Sequence, residues 1–202
     1  MNERIADIAA LEALYGVPSP MALKKVAPRL TPEYRRWIET ARFCLVATVG
    51  PEGTDISPRG DDGPVVRIAG PDRLEMPDWR GNNRLDTLRN IVRDPRVSLL
   101  FMVPGSNNVV RVNGRAHVTA DETLRHKLAH NGHLPQTVVV IGITEVYFQC
   151  GRAILRSGLW NRDDSEGLPS AGEMIASEDH DSFDPVDYDQ SWSARAKDTL
   201  WS

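Results

Sequence analysis

Cysteine is scarce in this chain of 202 residues: there are two, Cys44 and Cys150. Two thiols make no disulfide framework, and a reducing compartment is the default expectation. Long apolar runs are also missing. Stretches such as Val138 to Ile141 fall far short of the roughly 20 residues of a membrane-crossing helix. Met1 to Ala10 carries charges and no apolar core, so no secretory signal is visible and a cytoplasmic protein is expected. Lysine is rare, with four against twenty arginines. Standard nucleotide signatures are absent too: there is no G-x-x-x-x-G-K-[ST], no G-x-G-x-x-G after a strand and no G-x-S-x-G elbow.

What is present is ordinary in amount and uneven in arrangement. Hydrophobic residues make up 41% and charged residues 26% of the chain, a balance that suits one globular domain and is too apolar for disorder. The net charge of −4 conceals an asymmetry. From Asn161 onward eleven acidic residues face three basic ones, while the preceding part is net positive and rich in arginine. Arginine presents a planar fork suited to phosphate or carboxylate, so the body fits an anionic ligand. An acidic tail argues against nucleic acid as partner. Rich in Ser, Asp and Glu, that tail is expected to bury little surface and to be dispensable for folding.

Periodicity divides the chain into three parts. Residues 1–30 hold a helix with apolar spacing at Ile5, Ile8, Leu11 and Tyr15, then a connector. Thr31-Pro32 reads as an N-cap followed by proline at the first helical position. From Phe43 the texture is that of strands: Phe43 to Val49, Thr54 to Ser57, Val65 to Ala69, Arg73 to Met76, Val97 to Val103, Val109 to Thr119 and Thr137 to Gln149. Helices are expected at Leu85 to Val92, ended by Asp94-Pro95, and at Glu122 to Ala129. About six strands joined by short turns predict an α+β, mainly β fold, an antiparallel barrel with flanking helices over residues 31–160. Residues 161–202 form the acidic C-terminal tail.

Two apparent signals carry little. His126 and His130 are four apart, with His133 beyond, but the glutamate of a metalloprotease motif is missing and no metal site is assigned. Cys44 and Cys150 sit in strand-like apolar surroundings and read as buried small hydrophobes rather than nucleophiles.

Four places join arginine to small polar residues at element ends. Ser57-Pro58-Arg59-Gly60-Asp61 closes a strand. Gly81-Asn82-Asn83-Arg84 precedes a helix, whose first N–H groups and dipole attract anions, although Asn83 reads equally well as a simple cap. Arg111 lies in a long strand. Arg156-Ser157 stands beside Trp160, which suits an aromatic ligand or plain packing. Together these residues point to a phosphate-bearing ligand without identifying it.

Those segments, with Met76-Pro77-Asp78, Asp94-Pro95-Arg96-Val97-Ser98 and Arg111-Val112-Asn113-Gly114-Arg115, resemble the flavin-binding split-barrel family typified by pyridoxamine 5′-phosphate oxidase, in particular its PPOX-type branch. The resemblance runs in consistent order from about Thr31 to Trp160. It implies a six-stranded antiparallel split β-barrel, a homodimer, and FMN bound at the dimer interface. By position it places Asn83 and Arg84 at the FMN phosphate and Arg111 toward the flavin, with Arg59, Arg156, Ser157 and Trp160 as further contacts. The implied activity is FMN-dependent oxidoreduction of a small molecule, hydride transfer being carried by the flavin. The alternatives are a non-catalytic flavin-binding or sensing module whose acidic tail covers the pocket, or an F420-dependent reductase. The oxidase's own substrate motifs have no match: the comparable strand reads Pro64-Val65-Val66-Arg67-Ile68, and no Arg-x-His pair follows. Pyridoxamine 5′-phosphate oxidation is therefore not expected.

Overall fold

Buried and exposed residues alternate along Phe43–Gly50, with Cys44, Val46 and Thr48 turned inward, as a strand with one face on a core requires. Gly53–Gly60, Arg67–Gly70, Arg96–Met102 and Val109–Thr119 largely share this rhythm, whereas Arg73–Asp78 and the first part of Thr137–Gln149 are buried on both faces. The computed structural model describes residues 4–178 and 183–201, so residues 1–3, 179–182 and 202 of the two end segments lie outside the described residues. Among the described residues, seven strands form one antiparallel sheet: β1 (Phe43–Gly50), β2 (Gly53–Gly60), β3 (Arg67–Gly70), β4 (Arg73–Asp78), β5 (Arg96–Met102), β6 (Val109–Thr119) and β7 (Thr137–Gln149). Their spatial order is β2-β1-β5-β6-β7-β4-β3. This corrects the expected count of six, because the short β3–β4 hairpin adds an edge strand to a sheet that is not a closed barrel.

The sheet nevertheless curls strongly. Neighbouring strands lie about 4.8 Å apart, so β1 and β4, four steps apart in the order, would be about 19 Å apart in a flat sheet. Instead Val46 of β1 and Met76 of β4 border the same small internal space, with Leu99, Ile141 and Ile91. Arg59 of β2 comes within 3.6 Å of Asp78 of β4, although no strand ladder joins β2 to β4 among the described residues. Right-handed strand twist accumulates into such curvature, and it brings the strands of both halves around one core. Ile38, Leu74, Phe101, Val112 and Val146 are fully buried there.

Eight helices among the described residues flank the sheet. Before it come α1 (Ile8–Tyr15), α2 (Pro20–Lys24) and α3 (Pro32–Thr40). α3 starts as expected, with the Thr31 side chain accepting from the Tyr34 N–H and Pro32 at the first turn. α1 buries none of its residues. Between β4 and β5 lies α4 (Asp86–Arg93), tied to the sheet by two side-chain bonds. Thr87 Oγ1 donates to Asp55 Oδ2 at 2.6 Å, and Asn90 Nδ2 to Thr48 Oγ1 at 3.1 Å. α5 (Glu122–Lys127) stops short of His130.

After β7 come α6 (Arg152–Ser157), α7 (Ala171–Ala176) and α8 (Pro185–Asp198). The acidic segment is thus more ordered than its composition suggests. Ser170 and Glu173 form a reciprocal capping box on α7. A Cβ on Gly172 would lie 2.4 Å from the Pro185 carbonyl oxygen, so α7 and α8 meet in close contact. No helix among the described residues is long and apolar enough to cross a membrane.

Candidate functional site

A strand that ends in arginine, a loop that cannot continue the strand and a helix whose start lacks a side-chain cap converge on one cleft of about 710 Å³. β2 supplies Asp55, Ser57 and Arg59, and the end of β4 supplies Asp78. The loop between β4 and α4 contributes Trp79 to Leu85, and the start of β7 contributes Gln136 and Thr137. Three guanidinium groups, Arg59, Arg80 and Arg84, face three carboxylates, Asp55, Asp78 and Asp86.

The loop before α4 has unusual backbone geometry. Asn83 and Leu85 both have left-handed φ values, 60° and 62°. For a bulky residue such as leucine this conformation is an outlier, and such strain concentrates at ligand-binding sites. Leu85 occupies the N-cap position and makes no side-chain cap. The Arg84 N–H is satisfied locally by Asn82 Oδ1 at 3.1 Å. Among the described residues no acceptor reaches the N–H groups of Asp86, Thr87 and Leu88. The helix therefore opens into the cleft with unpaired donors and the positive end of its dipole. Asn83 is not the cap, so that reading is corrected: its side chain is exposed at the cleft.

The charged groups differ in setting. The Arg84 side chain is 76% exposed, and its Nε donates to Asp86 Oδ2 at 2.9 Å. Arg59 is more enclosed and faces Asp78. Burial pushes the Asp78 carboxyl above the usual carboxylate range, with the Arg59 guanidinium pulling the other way. Thr137 Oγ1 is shut from water and has no hydrogen-bond partner among the described residues. A buried polar atom left unpaired inside a cleft is suited to a ligand's hydrogen bond.

Arg59, Asn83 and Arg84 are thus brought together, whereas Arg111, Arg156, Ser157 and Trp160 do not line the cleft. Arg111 lies over the ring of Tyr147, 5.4 Å from its centroid, at the far end of β7. Thr137 and Tyr147 are ten residues apart, about 33 Å along an extended strand. Arg156 and Ser157 are exposed on α6. The Trp160 indole donates to the Ser106 carbonyl at 2.7 Å, binding this region to the β5–β6 loop.

Cys44 is buried, which pushes its thiol up to about 12 and leaves no nucleophile there. Cys150 is exposed, against the expectation that both thiols are buried. Asp78, Trp79, Arg80, Gln136 and Thr137 are lining residues that the sequence pattern does not single out as site residues. Trp79 and Arg80 abut the Gly81-Asn82-Asn83 loop, so proximity to that loop is a signal that could have found them. Thr137 enters only through its register partner Asp78, which no local pattern reveals.

The family model described as pyridoxamine 5′-phosphate oxidase matches residues 30–150. The match spans all seven strands and the cleft loop, leaving α1, α2 and α6 to α8 outside. A variant of HupZ from Group A Streptococcus is similar at 18% identity and a TM-score of 0.50, over 59% of this chain and 98% of that one. A candidate pyridoxamine 5′-phosphate oxidase from Lactobacillus delbrueckii is 24% identical, with a TM-score of 0.49 over 60% and 95% of the two chains. An F420 reductase is 17% identical, with a TM-score of 0.42 over 59% and 98%. No curated protein matches the chain. At 18% identity the HupZ likeness is one of fold.

Proposed function

The chain belongs to the pyridoxamine 5′-phosphate oxidase family, and from that premise we propose that it is an FMN-dependent oxidoreductase acting on a small molecule. The observation that carries the proposal is the cleft at α4. Unpaired helix N–H groups, two arginines and an orphaned threonine hydroxyl meet in a space of about 710 Å³. Pockets of roughly 300–1,000 Å³ hold cofactor-sized ligands, so both size and donor set fit a phosphate-bearing flavin. The amides of Asp86 to Leu88 and the Arg84 guanidinium would hold the phosphate, as helix starts do. Arg59 would add a second cation from the sheet side. Thr137 Oγ1 would donate to or accept from a polar edge of the ring system.

When bound, the flavin would supply hydride transfer, and the protein supplies binding, orientation and electrostatics. Asp78 is the lining carboxyl that burial holds toward its neutral form, so it is the group best suited to keep or pass a proton at its Oδ atoms.

The remaining arginine cluster supports a homodimer. Arg111, Arg156 and Trp160 do not line the cleft of one chain, and the ladder from Arg111 through Leu100 and Leu45 to Pro58 sets Arg111 three strands, about 14 Å, from the strand end that carries Arg59. A second copy would bring its Arg111 face to the first copy's cleft, adding residues that do not line it within one chain.

The direct test is the absorption spectrum of the isolated protein, followed by titration with FMN. The expected result is a yellow protein that keeps its flavin through gel filtration and whose flavin is reduced by NAD(P)H and then reoxidised. A protein that binds no FMN overturns the cofactor assignment, and binding of F420 instead would redirect it. Bound flavin inert to every donor would overturn the oxidoreductase reading in favour of a non-catalytic module.

A further inference from the structure

The segment after α8 folds back onto the rim of the cleft. Trp201 Nε1 donates to Asp61 Oδ1 at 3.2 Å, across 140 residues of sequence. The Trp201 ring also stacks on His130, with centroids 4.6 Å apart and planes at 29°. The other Asp61 oxygen, Oδ2, accepts from Trp79 Nε1 at 2.9 Å. Trp79 lines the cleft, and Leu200 borders an adjoining depression that shares Arg59, Trp79 and Arg80 with it. One carboxylate therefore holds two indoles, one in the cleft wall and one from the acidic segment.

His130 completes the arrangement. Its ring meets Trp79 edge-on at 6.3 Å, and its Nε2 faces Asp62 Oδ2 at 3.3 Å. Asp61, Asp62 and His130 bring three ligand-type atoms within 4.8 Å of one another, which by spacing alone suggests a cation site. Both Asp61 oxygens, however, are already engaged by indole N–H groups. The cluster is built to seat tryptophan.

We propose that residues 199–201 act as a strap: Trp201, seated on Asp61 and His130, pins Trp79 and so sets how readily the wall of the ligand cleft opens. The proposal rests on the reading of that cleft as the ligand site. Its physical basis is that the Trp79–Asp61 bond involves a charged acceptor, and such bonds weaken when water competes for it. Trp201 occupies the second oxygen of Asp61, Oδ1, where water would otherwise compete. With the strap released, Trp79 and the adjoining Arg80 lose a fixed anchor, and the ligand exchanges faster.

The test uses full-length Trp201→Ala and Trp201→Phe with FMN as probe. Phenylalanine keeps the stack on His130 and loses the donor, so it guards against an alanine variant that fails to fold. In Trp201→Ala, FMN dissociation is expected to be about tenfold faster, equivalent to about 1.4 kcal/mol. In the ligand-free protein the Trp79 indole N–H, assigned by its loss in Trp79→Phe, is expected to exchange with solvent about tenfold faster. Trp201→Phe falls between Trp201→Ala and wild type in both. Unchanged Trp79 exchange overturns the strap, and so does faster exchange with unchanged FMN release. If the wild-type protein binds no FMN, the cofactor reading falls, and Trp79 exchange in the same variants still decides whether the strap pins the wall.

Discussion

Two neighbouring substitutions should move FMN affinity in opposite directions while leaving riboflavin, which lacks the phosphate, nearly unaffected. Arg84 is 76% exposed and is held by Asp86 at 2.9 Å, so an incoming phosphate must draw the guanidinium from a carboxylate rather than from water. Hydrogen bonds to charged groups contribute about 1.5–3 kcal/mol. Exchange of one anionic partner for another at an exposed site keeps the net value at the lower end of that range. Arg84→Ala should therefore weaken FMN about tenfold. Asp86→Asn removes both the competing partner and a like charge beside the phosphate. A unit charge at about 4 Å in a water-like medium interacts by about 1 kcal/mol, so FMN should bind about fivefold more tightly. Flavin-fluorescence titrations of both variants against both ligands supply the measurement. If Arg84→Ala weakens riboflavin as much as FMN, the residue acts through the fold and the phosphate cradle is refuted. Tightening of both ligands by Asp86→Asn would be equally damaging to the assignment.

Gly114→Ala should cost about 3 kcal/mol or abolish soluble expression, because its Cβ would lie 2.2 Å from the Gly142 carbonyl oxygen at the β6–β7 bulge. Gly63→Ala, with nothing within 4 Å, should be benign; a wild-type melting temperature for Gly114→Ala would contradict the close packing of these two strands. Asp94 is held at about 2 by hydrogen bonds from the Arg96 side chain and backbone. Its folded value lies below its unfolded one, so its contribution is present above about pH 4 and disappears as the pH falls through about 2. Urea denaturation should find Asp94→Asn less stable than wild type at pH 7 and indistinguishable near pH 2, and a difference constant with pH would argue against the ion pair. In sedimentation at micromolar concentration the FMN-loaded protein should run as a dimer, and a monomer would overturn the assignment of the Arg111 face to a partner's cleft.

The strands were legible because their alternation and turns are local. Gly50-Pro51-Glu52-Gly53 and Gly70-Pro71-Asp72 mark hairpins by residue chemistry alone, and both hairpins form. All seven stretches named from their texture contain strand residues, yet the expected total is six. The shortest of them, β3, is an edge strand of four residues whose membership depends on pairing rather than on pattern. Arg59, Asn83 and Arg84 were recognisable as a group because each stands where an element begins or ends. Arg111, Arg156, Ser157 and Trp160 satisfied the same local criterion. Only the sheet order separates the two groups: Arg59 lies on β2 beside the cleft, whereas Arg111 lies three strands away on β6 and does not line it.

The site's most telling features are the least legible, for physical reasons that differ. Leu85 matches the apolar spacing of the following helix, so pattern places it inside α4. In the structure it stands at the N-cap with φ 62°, a conformation its side chain disfavours by roughly 1–2 kcal/mol. A leucine gives no warning of such a conformation, as a glycine would. The consequence is functional: a Ser or Asp in that place would occupy the first-turn N–H groups with its own oxygen, whereas Leu85 leaves them open to a ligand. The Asp61, His130 and Trp201 contacts are hidden by distance instead. Their partners are up to 140 residues apart, and the segment that carries Trp201 has the composition of a solvated tail. Net charge describes where such a segment prefers to be on average. It says nothing of the single indole at its end, which finds the one carboxylate already holding the cleft wall.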